Sequence, residues 1–354
     1  LLDAAVRQVA RLMGQRLLGV GVVQLNFLVN TILASGMVEG SLSAIVLAWA
    51  VMTMPQVVIA RAISIAALPT FSVFSSIISL TDVNKKDLAN AIRLEAKKVV
   101  PLPIEQMILD SKVISEDVVS AKAADGTVIS QGESKVTRVL LTAAPKDLVQ
   151  KYVEVFKSAG FQLLSLETEA FALTRALLGN DKSVAMVIDL GATNTNLSVI
   201  DKGIPVLNRG VDLGGKTLSK IIGSILNISP GQAEQFKKDW HRISAGNLDI
   251  PEPIQSGLAP LINEVKYIFN FYQTQSRYIG LNSGQAERIE KIILTGGSCT
   301  IPNLDVMLSK LLNVKVFVGD PWASISYPVD LKPVTEELGP SFSVAIGLAL
   351  RNIE

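Results

Sequence analysis

The sequence predicts an α/β protein with a smaller α+β subdomain, preceded by an N-terminal α-helical transmembrane hairpin. Three observations carry that expectation. Two long uncharged runs lie close together near the N-terminus. The middle of the chain alternates between strand and helix periodicity. The C-terminal half places polar or glycine-rich turns at the ends of buried apolar strands. The most informative of these turns follows Val187-Ile188-Asp189-Leu190, where Gly191-Ala192-Thr193-Asn194-Thr195 leads into a second apolar strand. Such a turn offers backbone N–H groups and hydroxyls to an anion, and its Asp can hold a metal ion directly or through water. Taken alone, the turn reads better as an ordinary hairpin with a polar tip.

The composition excludes several functions. At 354 residues the chain can bury more than one core. Its 33 Lys and Arg balance 32 Asp and Glu, so no basic field argues for nucleic acid as a partner. One Cys forbids an intramolecular disulfide, and a single His cannot build a histidine metal site. Mean hydropathy is +0.39, and the excess sits mostly at the N-terminus.

Residues 17–34 and 41–60 carry no charge, and each is about as long as a bilayer-crossing helix requires, near 20 residues. Arg7, Arg11 and Arg16 flank one side and Arg61 the other, whereas the connecting turn holds only Glu39. The positive-inside rule then places both ends in the cytoplasm. A buried helical hairpin in a soluble core is the competing reading. The words Arg11-Leu12-Met13-Gly14, Gln24-Leu25-Asn26-Phe27 and Glu39-Gly40-Ser41-Leu42-Ser43 resemble the MurJ/MviN family of lipid II flippases. The resemblance covers two helices of a many-helix transporter, too few for an alternating-access cavity.

Residues 65–165 read as the α+β subdomain of roughly 100 residues. Phe74–Leu80 is a strand, and Asn84 can cap a helix with Leu88, Ala91, Ile92, Ala96 and Val99 on one face. Pro101-Leu102-Pro103 stops it. Met107–Val113 and Val136–Thr142 are strands around a polar hairpin loop at residues 121–132. Lys146–Ala159 is a helix closed by Gly160.

Residues 166–182 read as a connecting helix, and residues 183–354 as one α/β lobe. Ser183–Asp189, Asn196–Asp201 and Ile204–Asn208 form a meander with a Lys202-Gly203 turn. Helices follow at Thr217–Leu226, from Pro230, over Ile254–Tyr278 and over Ser341–Leu350. Lys291–Thr295 is a buried strand ending in Gly296-Gly297-Ser298-Cys299. Glycine there lets the backbone approach a flat ligand.

The order of the motifs is more specific than any one of them. It runs Asp189-x-Gly191-x-Thr193-x-Thr195, Asp212-x-Gly214-Gly215, Glu234-x-x-Lys237, Leu294-Thr295-Gly296-Gly297-Ser298, then Gly339 to Gly347. That order resembles the second lobe of the Hsp70/actin ATPase superfold. Within the superfold, Ala67-Leu68-Pro69-Thr70-Phe71-Ser72, Ala91-Ile92-Arg93-Leu94-Glu95-Ala96, Pro101-Leu102-Pro103-Ile104-Glu105 and Ala170-Phe171-Ala172-Leu173 resemble the PilM family of type IV pilus assembly, related to FtsA. This resemblance runs from about residue 67 to 354.

The resemblance implies an actin-like fold whose first lobe is incomplete, with residues 65–165 as an inserted subdomain. It implies ATP and Mg²⁺ as cofactors. Asp189, Gly191, Thr193, Asn194 and Thr195 would form the second phosphate loop, Asp189 also serving the metal, alongside Gly214 and Gly215. Glu234 and Lys237 would lie by the ribose, and Gly296, Gly297 and Ser298 against the base and α-phosphate. Glu169 would be the acid that can orient metal-bound water, the one candidate catalytic residue. The implied partner is the cytoplasmic N-terminal peptide of a PilN-type membrane protein, with other pilus alignment-complex proteins beside it. The main domain would sit on the cytoplasmic face of a bacterial inner membrane. The family's first phosphate hairpin has no counterpart ahead of Ala67, which predicts weakened ATP binding and at most weak hydrolysis. An actin-like ATPase, an FtsA-like division protein and a flippase fragment with a passive tail are the alternatives. On their own, Glu234 and Lys237 could equally be a solvated pair, and Glu169 a helix-capping residue.

Overall fold

The computed structural model describes residues 65–122, 128–243, 250–279, 287–299, 301–327 and 329–351. The expected membrane hairpin, residues 1–64, lies outside the described residues. Among them no helix is long and apolar enough to cross a membrane.

Three sheets organise the described residues. Strand β1 (Ile65–Leu68) pairs in parallel with β5 (Ser165–Thr168). Between them in sequence lies a second unit. In it β2 (Phe74–Thr81), β3 (Met107–Lys122) and β4 (Val128–Pro145) form an antiparallel sheet in the order β2-β4-β3. Helix α1 (Leu88–Val99) buries Ile92 and Ala96 against Ile78, Val139 and Leu141 of that sheet. Helix α2 (Lys146–Ser158) leaves none of its residues fully buried, and Gly160 ends it at φ 75°. The paired strands β3 and β4 run well past the expected ones. Their backbone ladder continues beyond the apolar stretch, with register shifts at Val113/Ser115 and Ser120/Lys122. The expected Asn84 cap does not form: α1 begins only after Asp87.

The remaining strands are β6 (Ala185–Leu190), β7 (Thr195–Asp201), β8 (Ile204–Val211), β9 (Lys291–Thr295) and β10 (Lys315–Val318). They build one sheet in the order β10-β9-β6-β7-β8. The β7–β8 turn places Lys202 and Gly203 at φ 51° and 83°, the twist a two-residue hairpin requires. Period-two alternation sorts the side chains of β6. Met186, Ile188 and Leu190 enter the main core. That core is completed by α4 (Gly215–Leu226), α5 (Pro230–Ile243), α6 (Glu252–Ile279) and α7 (Leu304–Leu312). Ala185 and Val187 enter a smaller core on the other face, with Leu173 of α3 (Glu169–Leu177) and Val344 of α8 (Lys332–Ala349). Asp189 shares their parity, so it faces the side of α3.

Helix α8 starts nine residues earlier than its expected start at Ser341 and contains Pro340. The Pro340 carbonyl accepts hydrogen bonds from Gly296 N and Thr295 Oγ1 at 3.0 and 3.1 Å. A proline that reads as a helix stop is thus kept inside the helix, where its carbonyl serves the β9 turn. Helices α3 and α8 cross at Gly347, where a Cβ would stand 1.9 Å from the Ala172 carbonyl oxygen.

Candidate functional site

The turn between β6 and β7 is fixed by hydrogen bonds from the start of α4. Gly215 N donates to Gly191 O at 2.9 Å, and Lys216 N to Ala192 O at 2.8 Å. Asn194 Nδ2 reaches Asp212 Oδ1 at 2.7 Å. Thr195 Oγ1 is fully buried and donates to Leu213 O at 2.6 Å. The Thr195 hydroxyl therefore ties the Asp212–Gly215 turn to the hairpin. Ala192 and Thr193 are exposed. The N–H groups of Ala192, Thr193 and Asn194 stay outside the backbone hydrogen-bond network of the described residues. That set of donors suits an anion.

The glycines here are required by close approach. A Cβ on Gly214 would lie 2.5 Å from the Thr193 carbonyl carbon, and one on Gly296 2.5 Å from Asp189 Oδ1. A Cβ on Gly215 would lie 2.4 Å from Ser298 Oγ and 2.8 Å from Lys237 Nζ. Gly191, Gly214, Gly215, Asp189, Gly296, Ser298 and Lys237 therefore converge at the carboxyl ends of β6 and β9, the usual place for a ligand crevice in such sheets. Gly297 lies beside Ser341, and Ser298 N reaches back to Leu190 O at 3.3 Å. Gly214→Ala is expected to push the turn aside, cost about 1–3 kcal/mol and weaken any anion bound there. Thermal melts and nucleotide titration check both effects.

Glu234 and Lys237 do not form a merely solvated pair. Lys237 is buried, and its Nζ donates to Glu234 Oε2 at 2.9 Å and to Gly215 O at 3.1 Å. Ser219 Oγ adds a 2.6 Å bond to the same carboxylate. Burial opposes ionisation of Glu234, but Ser219 and Lys237 outweigh it and hold the carboxyl below its usual range. Cys299 is buried in the turn; burial and then Asp189 push its thiol up to about 12.

Two carboxylates meet on the α3 side of the sheet. Burial, and then the charge of Glu169, push Asp189 up to about 7. Burial also raises Glu169. Glu169 Oε2 accepts Thr70 N–H at 3.2 Å and Asn196 Nδ2 at 3.0 Å. Glu169 therefore bonds across to the β1–β2 turn, which its helix-capping alternative does not describe. Sequence reading missed Thr70 and Asn196. Only the parity of Asn196, opposite Asp189 in register on β7, could have signalled the latter. Two carboxylates disfavoured as anions, open N–H groups and side-chain-free glycine backbone fit a Mg²⁺-nucleotide. Among the described residues no group of three metal ligands occurs, so the phosphates would have to complete the coordination.

A second concavity, about 400 Å³, opens between β5–α3 and the β2-β4-β3 sheet. Leu68, Val73, Ile108, Val149, Leu166 and Phe171 supply its apolar lining, and Asp110, Lys112, Glu167, Arg175 and Arg351 its charges. Glu167 pairs with both Arg175 and Arg351, and Arg351 Nη1 also reaches Ser165 Oγ at 2.6 Å.

Comparison with known proteins accords with this architecture. Among solved structures, the PilM-PilN type IV pilus biogenesis complex is similar, with a TM-score of 0.64 and 25% identity. The match covers 82% of this chain and 79% of that one. Cell division protein FtsA of Bacillus subtilis (strain 168) is 26% identical over 171 residues, 46% of this chain and 38% of FtsA. FtsA of Enterococcus faecalis (strain ATCC 700802 / V583) is 26% identical over 191 residues, 49% of this chain and 43% of FtsA. The chain thus spans less than half the length of these curated relatives. The fold is actin-like, as the motif order implied. The profile of the type IV pilus assembly protein PilM matches residues 46–353, including residues 46–64 that the sequence reading gave to a membrane hairpin. With that much of its length matched, the chain belongs to the PilM family of type IV pilus assembly proteins.

Proposed function

We propose that the protein is a PilM-like scaffold of the type IV pilus inner-membrane assembly complex, acting on the cytoplasmic face of that membrane. It binds Mg²⁺-ATP at the carboxyl ends of β6 and β9, and the cytoplasmic N-terminal peptide of a PilN-type partner in the groove beside β5. The observation that carries this reading is the groove itself. An apolar floor about 400 Å³ in volume, edged by side chains of both charges, suits a short extended peptide with apolar anchors. The similar solved structure is a complex of PilM with PilN.

At the other site, Ala192, Thr193 and Asn194 would donate N–H groups to the phosphates, and Asp189 would hold the metal ion or its water. Gly296, Gly297 and Ser298 would lie against the base and α-phosphate. Lys237 and Glu234 hold the Gly215 turn from behind and would lie by the ribose. Bound Mg²⁺ would supply charge neutralisation for the phosphates. Without ligand, Glu169, the one candidate for orienting water, is held by Thr70 N–H and Asn196 Nδ2.

Ile108 lines the groove while 43% exposed, so Ile108→Asp spares the core. It should weaken a synthetic PilN-type N-terminal peptide by about tenfold or more, the cost of losing one apolar contact. Nucleotide affinity should stay unchanged. Isothermal titration of both ligands decides, and unaltered peptide affinity would remove the groove from the proposal.

A further inference from the structure

We infer that Glu169 is a positioning residue shared by the two sites, so that Mg²⁺-nucleotide at the β6 turn and peptide in the groove weaken each other's binding. The inference rests on the functional reading above and adds a regulatory relation between its two ligands.

Glu169 stands where the two sites adjoin. On one side its charge acts on Asp189. On the other, its carboxylate holds the N–H of Thr70, in the short turn that joins β1 to β2. Leu68 and Val73, either side of that turn, line the groove. So do Thr168 and Phe171, either side of Glu169. The Thr70–Glu169 bond therefore ties two walls of the groove together.

Among the described residues this tie is made by neutral donors. Thr70 N–H and Asn196 Nδ2 are the groups that bond to Glu169, and the titratable groups that feel it are Asp189 and Tyr152. Tyr152 belongs to the apolar cluster beneath the groove, with Leu68, Val73 and Leu166. A divalent cation placed at Asp189 would attract Glu169 more strongly than a backbone N–H does. Helix α3 cannot follow that pull, because the Ala172 carbonyl is wedged at Gly347 and Arg175 Nε bonds Gly347 O at 2.9 Å. The carboxylate turns instead, the Thr70 turn is released, and the groove loses its fixed wall. Peptide that needs the fixed wall disfavours the cation by the same factor, since coupling between sites is reciprocal.

The test is isothermal titration of the full chain with a synthetic PilN-type N-terminal peptide and with Mg²⁺ plus a non-hydrolysable ATP analogue. Saturating Mg²⁺-analogue should raise the peptide Kd about tenfold, within the usual span of coupled sites. Saturating peptide should raise the analogue Kd by an equal factor. In Glu169→Gln the amide oxygen still accepts the Thr70 N–H but lacks the charge that a cation attracts. Both ligands should then bind with little mutual effect. A wild-type factor near one with both ligands bound, or a Glu169→Gln protein that keeps the full factor, would overturn the inference while leaving the functional reading intact. Failure of either ligand to bind alone would overturn the reading itself. If Glu169→Gln does not fold, a wild-type factor near one suffices to reject the coupling.

Discussion

Asp189→Asn is expected to stabilise the ligand-free protein at pH 8 and to abolish its Mg²⁺-dependent nucleotide binding. Burial and the neighbouring Glu169 raise this carboxyl from 3.8 to about 7. In the unfolded chain it loses its proton near pH 4, whereas in the folded chain it keeps it until near pH 7. Between those limits the folded state binds more protons, so stability falls as pH rises. By pH 8 the accumulated cost is of the order of 4 kcal/mol, as a three-unit difference in pKa implies. Asparagine has the same shape and no charge to desolvate. The melting temperature of Asp189→Asn should therefore exceed that of the wild type by a margin that grows from pH 4 to 7 and then levels. Mg²⁺ with nucleotide should raise the wild-type melting temperature and leave the variant's unchanged. A wild type with flat stability across this pH range would show that Asp189 ionises normally. The opposed effects are those expected of a residue kept for binding at the expense of stability.

The second large effect is expected where α3 crosses α8. Gly347→Ala would place a methyl group 1.9 Å from the Ala172 carbonyl oxygen and 2.4 Å from its carbon. Backbone cannot rotate out of the way as a side chain can, so α3 and α8 must separate. Overpacking of this kind costs about 3 kcal/mol or more. The loss should appear as a large drop in melting temperature by calorimetry. Because α3 carries Glu169, the pH dependence attributed to Asp189 should also diminish. Gly231→Ala, on α5, is the control: a Cβ there meets nothing within 4 Å, and the substitution should be neutral or slightly stabilising. Equal melting temperatures for the two variants would refute the argument from close approach.

Much of this was legible in the sequence, for local reasons. The β6-turn-β7-β8 meander is encoded by period-two apolar alternation broken at Gly191–Asn194 and Lys202-Gly203, and such breaks are short-range chemistry. The ordered motifs implied an actin-like fold by resemblance, and those at Gly191, Gly214-Gly215 and Gly296-Gly297 stand just past strand ends, where the backbone comes close to other groups. The same local reading misplaced the start of α8, since a Gly-Pro pair looks like a stop until the Pro340 carbonyl finds Thr295 and Gly296, 45 and 44 residues away. It assigned the Thr195 hydroxyl to a ligand, because nothing local shows that Leu213 O lies within reach.

Sequence by itself thus determined the secondary structure on which most of the candidate residues sit, since that follows from residue type and spacing. Only the tertiary structure decided what each group faces. It set Asp189 and Glu169 against one another, 20 residues apart in the chain, and turned Lys237 from a surface cation into a buried strut beneath Gly215. It also showed that Thr70 and Asn196 share the Glu169 carboxylate. Those contacts arise from which face of β6 packs on α3 and from how closely α3 approaches α8, and packing between distant segments leaves no local mark in the sequence.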